Sequence, residues 1–170
     1  MDKILEVSGL KTYFYLEEGV VKAVDGMDFE AFAGKNLAIV GESGCGKSVT
    51  AKSIMRLVPD PPGKIVEGDI KLYVEEQEKP INLAELNPKG REMRSIRGKK
   101  IAMIFQEPMN SLSPVHSIGD QIIEAITLHQ DINAKQARQK AINMLEKVRI
   151  SRPEEVIDEY IHQLSGGMRQ

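Results

Sequence analysis

The chain of 170 residues contains one cysteine, Cys45, so no internal disulfide can staple it and packing alone must hold the fold. It has no excess of positive charge either. Lys and Arg number 23 against 25 Asp and Glu, a formal net charge of −2. That leaves no electrostatic footprint for nucleic acid, which is therefore not an expected partner. Apolar runs are short, and none approaches the ~20 residues that span a bilayer. Met1-Asp2-Lys3 opens a mixed apolar and charged segment, without the charged-then-apolar pattern of a secretion leader. The expectation is a chain made and kept in the cytosol, with a membrane protein still open as its partner. Repeats and low-complexity tracts are also missing. What is present, 41% hydrophobic residues over this length, suffices for one domain with a core and a small subdomain.

Periodicity divides the chain into a mixed α/β part and a helical part. Ile4 to Leu10 and Val20 to Phe32 alternate loosely between apolar and polar residues across Glu17-Glu18-Gly19, the pattern of antiparallel strands. Val21, Ala23, Met27, Phe29 and Ala31 are expected to face inward, Asp28 and Glu30 outward. Ile70, Leu72 and Val74 alternate with Lys71 and Tyr73 as a further half-buried strand. Leu37 to Val40 and Ile101 to Phe105 are compact apolar runs, short enough for buried strands of a parallel sheet. Between them Asn87 to Lys100 is strongly basic and reads first as a solvated face. Later, Ile118 to His129 carries a helical stripe. Asn133 with Gln136 has capping-box spacing, and Ser151 with Glu154 repeats it, with Pro153 tolerated in the first turn.

The strongest chemical signal is Gly41-Glu42-Ser43-Gly44-Cys45-Gly46-Lys47-Ser48. It follows the run Leu37 to Val40 and precedes a helical pattern over Val49 to Leu57, the context a GxxxxGKS phosphate loop requires. Gly41, Gly44 and Gly46 permit turns that a Cβ would block, so that successive N–H groups point inward at phosphate oxygens. The helix start adds its unpaired amides and the positive end of its dipole. Lys47 is expected to reach the β and γ phosphates of ATP, and the Ser48 hydroxyl to hold Mg²⁺. The candidate nucleotide set thus runs Gly41, Glu42, Ser43, Gly44, Cys45, Gly46, Lys47, Ser48 and Val49. Cys45 is readable as an acidified thiol at a helix start or simply as a small residue tolerated in the loop.

The chain ends on Leu164-Ser165-Gly166-Gly167-Met168-Arg169-Gln170. With the phosphate loop and Gln106, this run resembles the signature of ATP-binding cassette (ABC) ATPases, along the whole chain from Ile4 onward. The resemblance implies a P-loop NTPase fold of ABC type, α/β, with an N-terminal antiparallel β part and a helical subdomain. Its expected segments are 1–106 for the nucleotide-binding core, 107–164 for the helical subdomain and 165–170 for the start of the signature helix. It also implies ATP and Mg²⁺ as cofactors, with Lys47 and Gln106 in catalytic roles and Gln106 touching Mg²⁺ and the attacking water. Leu164, Ser165, Gly166, Gly167 and Gln170 would serve ATP held by a second ATPase subunit. Tyr13 falls where the family places an aromatic that stacks on adenine; a strand-end aromatic in the core is the alternative. Residues 107–126 match the surface that receives a short helix from a transmembrane permease subunit. The chain would then lie on the inner face of the cell membrane as a peripheral cytoplasmic subunit.

Phe105 to Pro114 and Gly19 to Gly26 are similar to the branch importing di- and oligopeptides or nickel. In the family, the carboxylate that handles the attacking water and a later histidine both follow the signature. Neither position is matched here, and Val156-Ile157-Asp158-Glu159 reads as an acidic helix ahead of it. His116, His129 and His162 fit surface or packing roles. The expectation is therefore the N-terminal part of a longer ATPase of an importer, with an incomplete core sheet and, alone, little or no hydrolysis. The other open reading is a non-catalytic nucleotide-binding module that pairs with a full-length ATPase and regulates it.

Overall fold

A turn at Glu17-Glu18 closes a long hairpin of β1 (Lys3–Leu16) and β2 (Gly19–Phe32), the spine of the first of two units in the computed structural model. The structure describes residues 2–75, 77–105 and 111–169. Its two units are Met1–Ile101 and Ala102–Gln170.

In the first unit the sheet order is β2-β1-β3-β4, with β3 at Gly63–Leu72 and β4 at Ile81–Asn82, all pairs antiparallel. Val7, Leu10, Val24, Ile70, Leu72 and Leu83 form its core with Met93 and Ile96 of α2 (Arg91–Ile96). The inward residues of β2 differ from the simple alternation. Met27, Phe29 and Ala31 are half-buried between exposed Asp28 and Glu30, but Val21 is exposed and Val24 is buried. The register explains the burial of Val24: Leu10 faces Met27 while Lys11 faces Asp25, so Gly26 is an extra residue that turns the strand over, and a second extra residue at Ala23 turns it back, leaving Val21 opposite Phe14 and exposed near the hairpin turn. A bulge of this kind moves the side chains that follow, up to the next bulge, to the opposite face.

Helix α1 (Lys47–Ile54) stops three residues short of the Leu57 that periodicity suggests. Arg56 takes a left-handed φ of 53°, and Arg97 collects the carbonyls the helix leaves open. Its guanidinium donates to Met55 O (2.8 Å), Arg56 O (2.7 Å) and Pro88 O (2.9 Å). The basic stretch is thus not only a solvated face. Lys89, Arg91, Arg94 and Lys99 are exposed, whereas Arg97 is a half-buried cap on the terminus of α1.

The two apolar runs expected as parallel strands do not form them. Residues 37–40 and 102–105 carry no ladder, with Val40 and Ile104 each 90% exposed. A strand gains its hydrogen bonds only from a neighbour, and neither run has one among the described residues. The sheet is therefore partial, as the incomplete-core expectation requires.

Glu6 fastens the outer face of this sheet. Its carboxylate accepts from Lys3 Nζ (2.6 Å) and Tyr73 Oη (2.9 Å), with Lys71 Nζ at 3.5 Å. The Lys3 and Tyr73 hydrogen bonds hold its pKa down at about 2. Because the folded value lies below the unfolded one, the stability Glu6 contributes is complete above roughly pH 5 and is lost as pH falls toward 2. Urea unfolding at pH 6 and pH 3 should therefore show a steeper loss of stability for the native chain than for Glu6→Gln. Parallel losses would refute this.

The second unit is helical: α3 (Ile118–Thr127), α4 (Ala134–Lys147), α5 (Pro153–Val156), a single 3₁₀ turn at Ile161–Gln163 and α6 (Gly166–Arg169). Asn133 and Gln136 form the expected reciprocal capping box on α4 (3.0 and 3.2 Å), and Ser117 with Asp120 forms a second one on α3. The spacing at Ser151 and Glu154 does not become a box. Pro153 takes the first helical position, so Arg152, in a left-handed conformation at φ 54°, becomes the cap. Nor is Val156 to Glu159 an acidic helix. Val156 and Ile157 are buried in the core with Ile118, Ala141, Leu145 and Leu164, and Asp158 clamps Arg138 through bonds of 2.8 and 2.7 Å. His116 Nδ1 meets Ser113 Oγ at 2.8 Å and His162 stacks on Tyr160. Among the described residues no helix is long and apolar enough to cross a membrane.

Candidate functional site

A second bulge in β2 positions the phosphate loop. Thr12 faces Val24 but Tyr13 faces Lys22, which leaves Ala23 as the extra residue. Its carbonyl packs against Gly46, where an added Cβ would stand 2.2 Å from Ala23 O. The sheet thus seats the loop through a contact only glycine allows. From below, α1 is tied to β1 by the buried hydroxyl pair Thr12 and Ser53 at 2.9 Å.

Within the loop, Cys45 N donates to Glu42 O at 3.3 Å, and Gly44 and Gly46 hold φ values of 84° and 94°. A Cβ on Gly41 would meet Cys45 Sγ at 2.5 Å. The first bond of α1 runs from Thr50 N to Gly46 O (2.8 Å), so the N–H groups of Lys47, Ser48 and Val49 precede the helical ladder. Lys47 Nζ lies back in the loop, donating to Gly41 O (2.6 Å) and Glu42 O (2.7 Å), with Cys45 Sγ at 3.5 Å. No carboxylate pairs with it among the described residues. Its charge is held by neutral acceptors inside a cradle of amides, which suits an anion with several oxygens. Ser48 is exposed at the second position of the helix. A hydroxyl and phosphate oxygens suit Mg²⁺, which seldom needs a cage built by protein alone. These residues fit a nucleoside triphosphate with its metal ion.

Tyr13 lies beside this loop through Lys22 and Ala23. Its hydroxyl donates to Asp25 Oδ1 at 2.5 Å, and Lys22 Nζ stands 5.3 Å from its ring centroid. The shared hydrogen bond raises the Tyr13 pKa and lowers that of Asp25. Sequence reasoning singled out Tyr13 but neither of these partners, because two bulges decide which side chains of β2 meet it.

In the helical unit the signature residues open α6. Leu164 is buried, and Ser165 Oγ accepts from Met168 N at 3.4 Å. A Cβ on Gly166 or Gly167 would meet nothing within 4 Å. Arg169 Nε donates back to Leu164 O at 2.9 Å. Gln106, Gln170 and residues 107–110 of the expected permease surface lie outside the described residues.

The family described as ABC transporter matches residues 24–170. This chain belongs to the ABC transporter family. It is 50% identical over 169 residues to the probable peptide ABC transporter ATP-binding protein y4tR of Sinorhizobium fredii, covering 99% of this chain and 48% of that protein. Over 170 residues it is 47% identical to the oligopeptide transport ATP-binding protein AppD of Bacillus subtilis, 100% of this chain and 49% of the relative. The dipeptide transport ATP-binding protein DppD of the same organism is 45% identical, with 100% and 48% covered. The chain thus spans about half the length of these curated relatives. Among solved structures, the dimeric bacterial ABC transporter cassette MJ0796 aligns with a TM-score of 0.77 at 21% identity, across 98% of this chain and 65% of that one. At that identity the likeness shows the fold alone. The fold is the ABC cassette, in part.

Proposed function

We propose that this ABC chain is the nucleotide-binding part of an importer's ATPase subunit, which couples ATP binding and hydrolysis to uptake of di- or oligopeptides or a similar small solute. The observation that carries the reading is the phosphate cradle, with the Lys47 ammonium held by Gly41 O and Glu42 O and no acid beside it. The peptide-transport names of relatives at 45–50% identity support the cargo class.

In this reading the loop amides and Lys47 bind the β and γ phosphates, and the Ser48 hydroxyl holds the Mg²⁺ that neutralises their charge. Gln106 positions water. Ser165, Gly166 and Gly167 reach across to ATP on a second ATPase subunit, and residues 107–126 meet a permease subunit at the inner face of the membrane. Hydrolysis needs a group to orient the attacking water as well as charge neutralisation. The cradle supplies the latter.

Titration with a fluorescent ATP analogue tests the reading. Saturable binding displaced by ATP is expected, and its absence overturns the proposal. Deleting the gene should lower uptake of labelled dipeptides, and unchanged uptake would remove the cargo assignment. Cys45 gives a local test, since it is exposed with Sγ 3.5 Å from Lys47 Nζ. Alkylating it should block nucleotide binding, and Mg·ATP should slow the alkylation. Equal rates with and without Mg·ATP would count against binding in this loop.

A further inference from the structure

The ring of Tyr13 is fixed from two directions by side chains of β2. Asp25 Oδ1 accepts a hydrogen bond from its hydroxyl at 2.5 Å, and Lys22 Nζ lies over the ring, 5.3 Å from the centroid and 3.6 Å from Asp25 Oδ2. Lys11, the residue opposite Asp25, is held by Glu67 at 2.7 Å, which leaves the Asp25 carboxylate to Tyr13 and Lys22. This arrangement depends on the bulges. Without Gly26 and Ala23 as extra residues, Lys22 and Asp25 would stand at other positions along β1.

The same backbone reaches the phosphate loop. Ala23, next to Lys22, places its carbonyl against Gly46. Ring and cradle therefore share one short stretch of β2, and the height of the ring relative to the cradle is set by that stretch.

Resting on the nucleotide reading, we propose that Asp25 and Lys22 are positioning residues that lock the Tyr13 ring for base stacking and so give the site its preference for a purine. Lys22 covers one face of the ring, and the base stacks on the other. A ring locked at a fixed distance from the bound phosphates favours the base whose π-face extends far enough to overlap it. A loose ring stacks on any base, with less gain. The side-chain contacts of Lys22 and Asp25 are with Tyr13 and each other, not with the phosphate loop. Their effect should appear in the choice of base and not in recognition of the triphosphate.

The test compares affinities of the 170-residue chain for Mg·ATP, Mg·CTP and inorganic tripolyphosphate. Variants are Asp25→Ala, Asp25→Asn, Lys22→Met, Tyr13→Phe and the double variant Asp25→Ala/Tyr13→Phe. A whole base-on-aromatic stack supplies roughly 5- to 150-fold in affinity, and positioning accounts for part of it. Asp25→Ala should weaken ATP binding about three- to tenfold, lower the ATP-to-CTP ratio and leave tripolyphosphate unchanged. Lys22→Met should move the same ratio in the same direction. Asp25→Asn, whose amide oxygen still accepts from Tyr13, should recover much of the loss. Tyr13→Phe should lose no more than Asp25→Ala, which also releases Lys22, and the double variant no more than Asp25→Ala alone, because both single variants remove the same hydrogen bond. Equal losses of ATP and tripolyphosphate, an unchanged ratio, or additive losses would each overturn the proposal. A native chain that binds neither nucleotide nor tripolyphosphate overturns the nucleotide reading, and this one with it. Lys22 and Asp25 side chains are 59% and 46% exposed, so the variants are expected to fold, and thermal unfolding checks that they do.

Discussion

Lys47→Ala should weaken binding of Mg·ATP about 10- to 100-fold while leaving the fold almost unchanged. Hydrogen bonds to charged groups contribute about 1.5–3 kcal/mol each, and each 1.4 kcal/mol is tenfold in affinity. Lys47 is the cation the loop presents to the β and γ phosphates, and its partners among the described residues are two carbonyls and a thiol. Gly41, Glu42 and Cys45 are all exposed. Water can therefore replace the ammonium on their acceptors, and removing the side chain leaves no buried group unsatisfied. Stability should change by less than about 1 kcal/mol for that reason. Lys47→Arg keeps the charge, but its planar guanidinium does not reproduce a compact point charge, and it should recover only part of the affinity. Isothermal titration with Mg·ATP, beside urea unfolding of the same variants, separates the two effects. A loss under twofold would remove Lys47 from the site. An equal loss of stability would make it a structural residue.

How much of this was legible in the sequence depends on what each residue's role rests on. The phosphate loop reads directly because its glycines answer to local backbone demands that four or five neighbouring residues express. The same holds for the Asn133 and Gln136 box, whose hydrogen bonds lie within one helical turn. The failures share another cause. Simple alternation does not place Val24 inward because it assumes one residue for one, and the extra Gly26 brings Val24 into the core; Val21, returned to its expected face by the extra Ala23, is exposed near the hairpin turn. Arg97 looked like one cation among many, since its carbonyl partners at Met55 and Arg56 lie about forty residues away. Leu37 to Val40 and Ile101 to Phe105 show a third case. An apolar run states that a segment suits burial, but a strand also needs a neighbour, and beyond one isolated bridge from Ile101 to Arg97 these runs find none among the described residues. Local chemistry is written in the chain near the site that uses it. Register and long-range capping are not.

Gly46→Ala should be the most disruptive single methyl group in the loop, with Gly44→Ala as its comparison. Both glycines have positive φ, 94° and 84°, so both substitutions pay the left-handed backbone penalty of about 1–2 kcal/mol. Only Gly46 adds a collision. Its Cβ would stand 2.2 Å from Ala23 O and 3.5 Å from Val24 Cγ2, whereas a Cβ on Gly44 meets nothing within 4 Å. The atom in the way is backbone and cannot rotate aside. It belongs to the bulged residue of β2, so relief requires either reforming that bulge or lifting the start of α1. Lifting α1 strains the buried Thr12 and Ser53 pair at 2.9 Å, and reforming the bulge moves Lys22 away from Tyr13. Gly44→Ala should therefore cost about 1–2 kcal/mol of stability, and Gly46→Ala about 3 kcal/mol or more once overpacking is added. The second variant should also bind Mg·ATP at least about tenfold more weakly, because the amides that begin α1 no longer converge on the phosphates. Urea unfolding of the two variants side by side measures the difference. Equal costs would mean that the carbonyl of Ala23 does not seat the loop, and that the hold of β2 on the nucleotide site lies elsewhere.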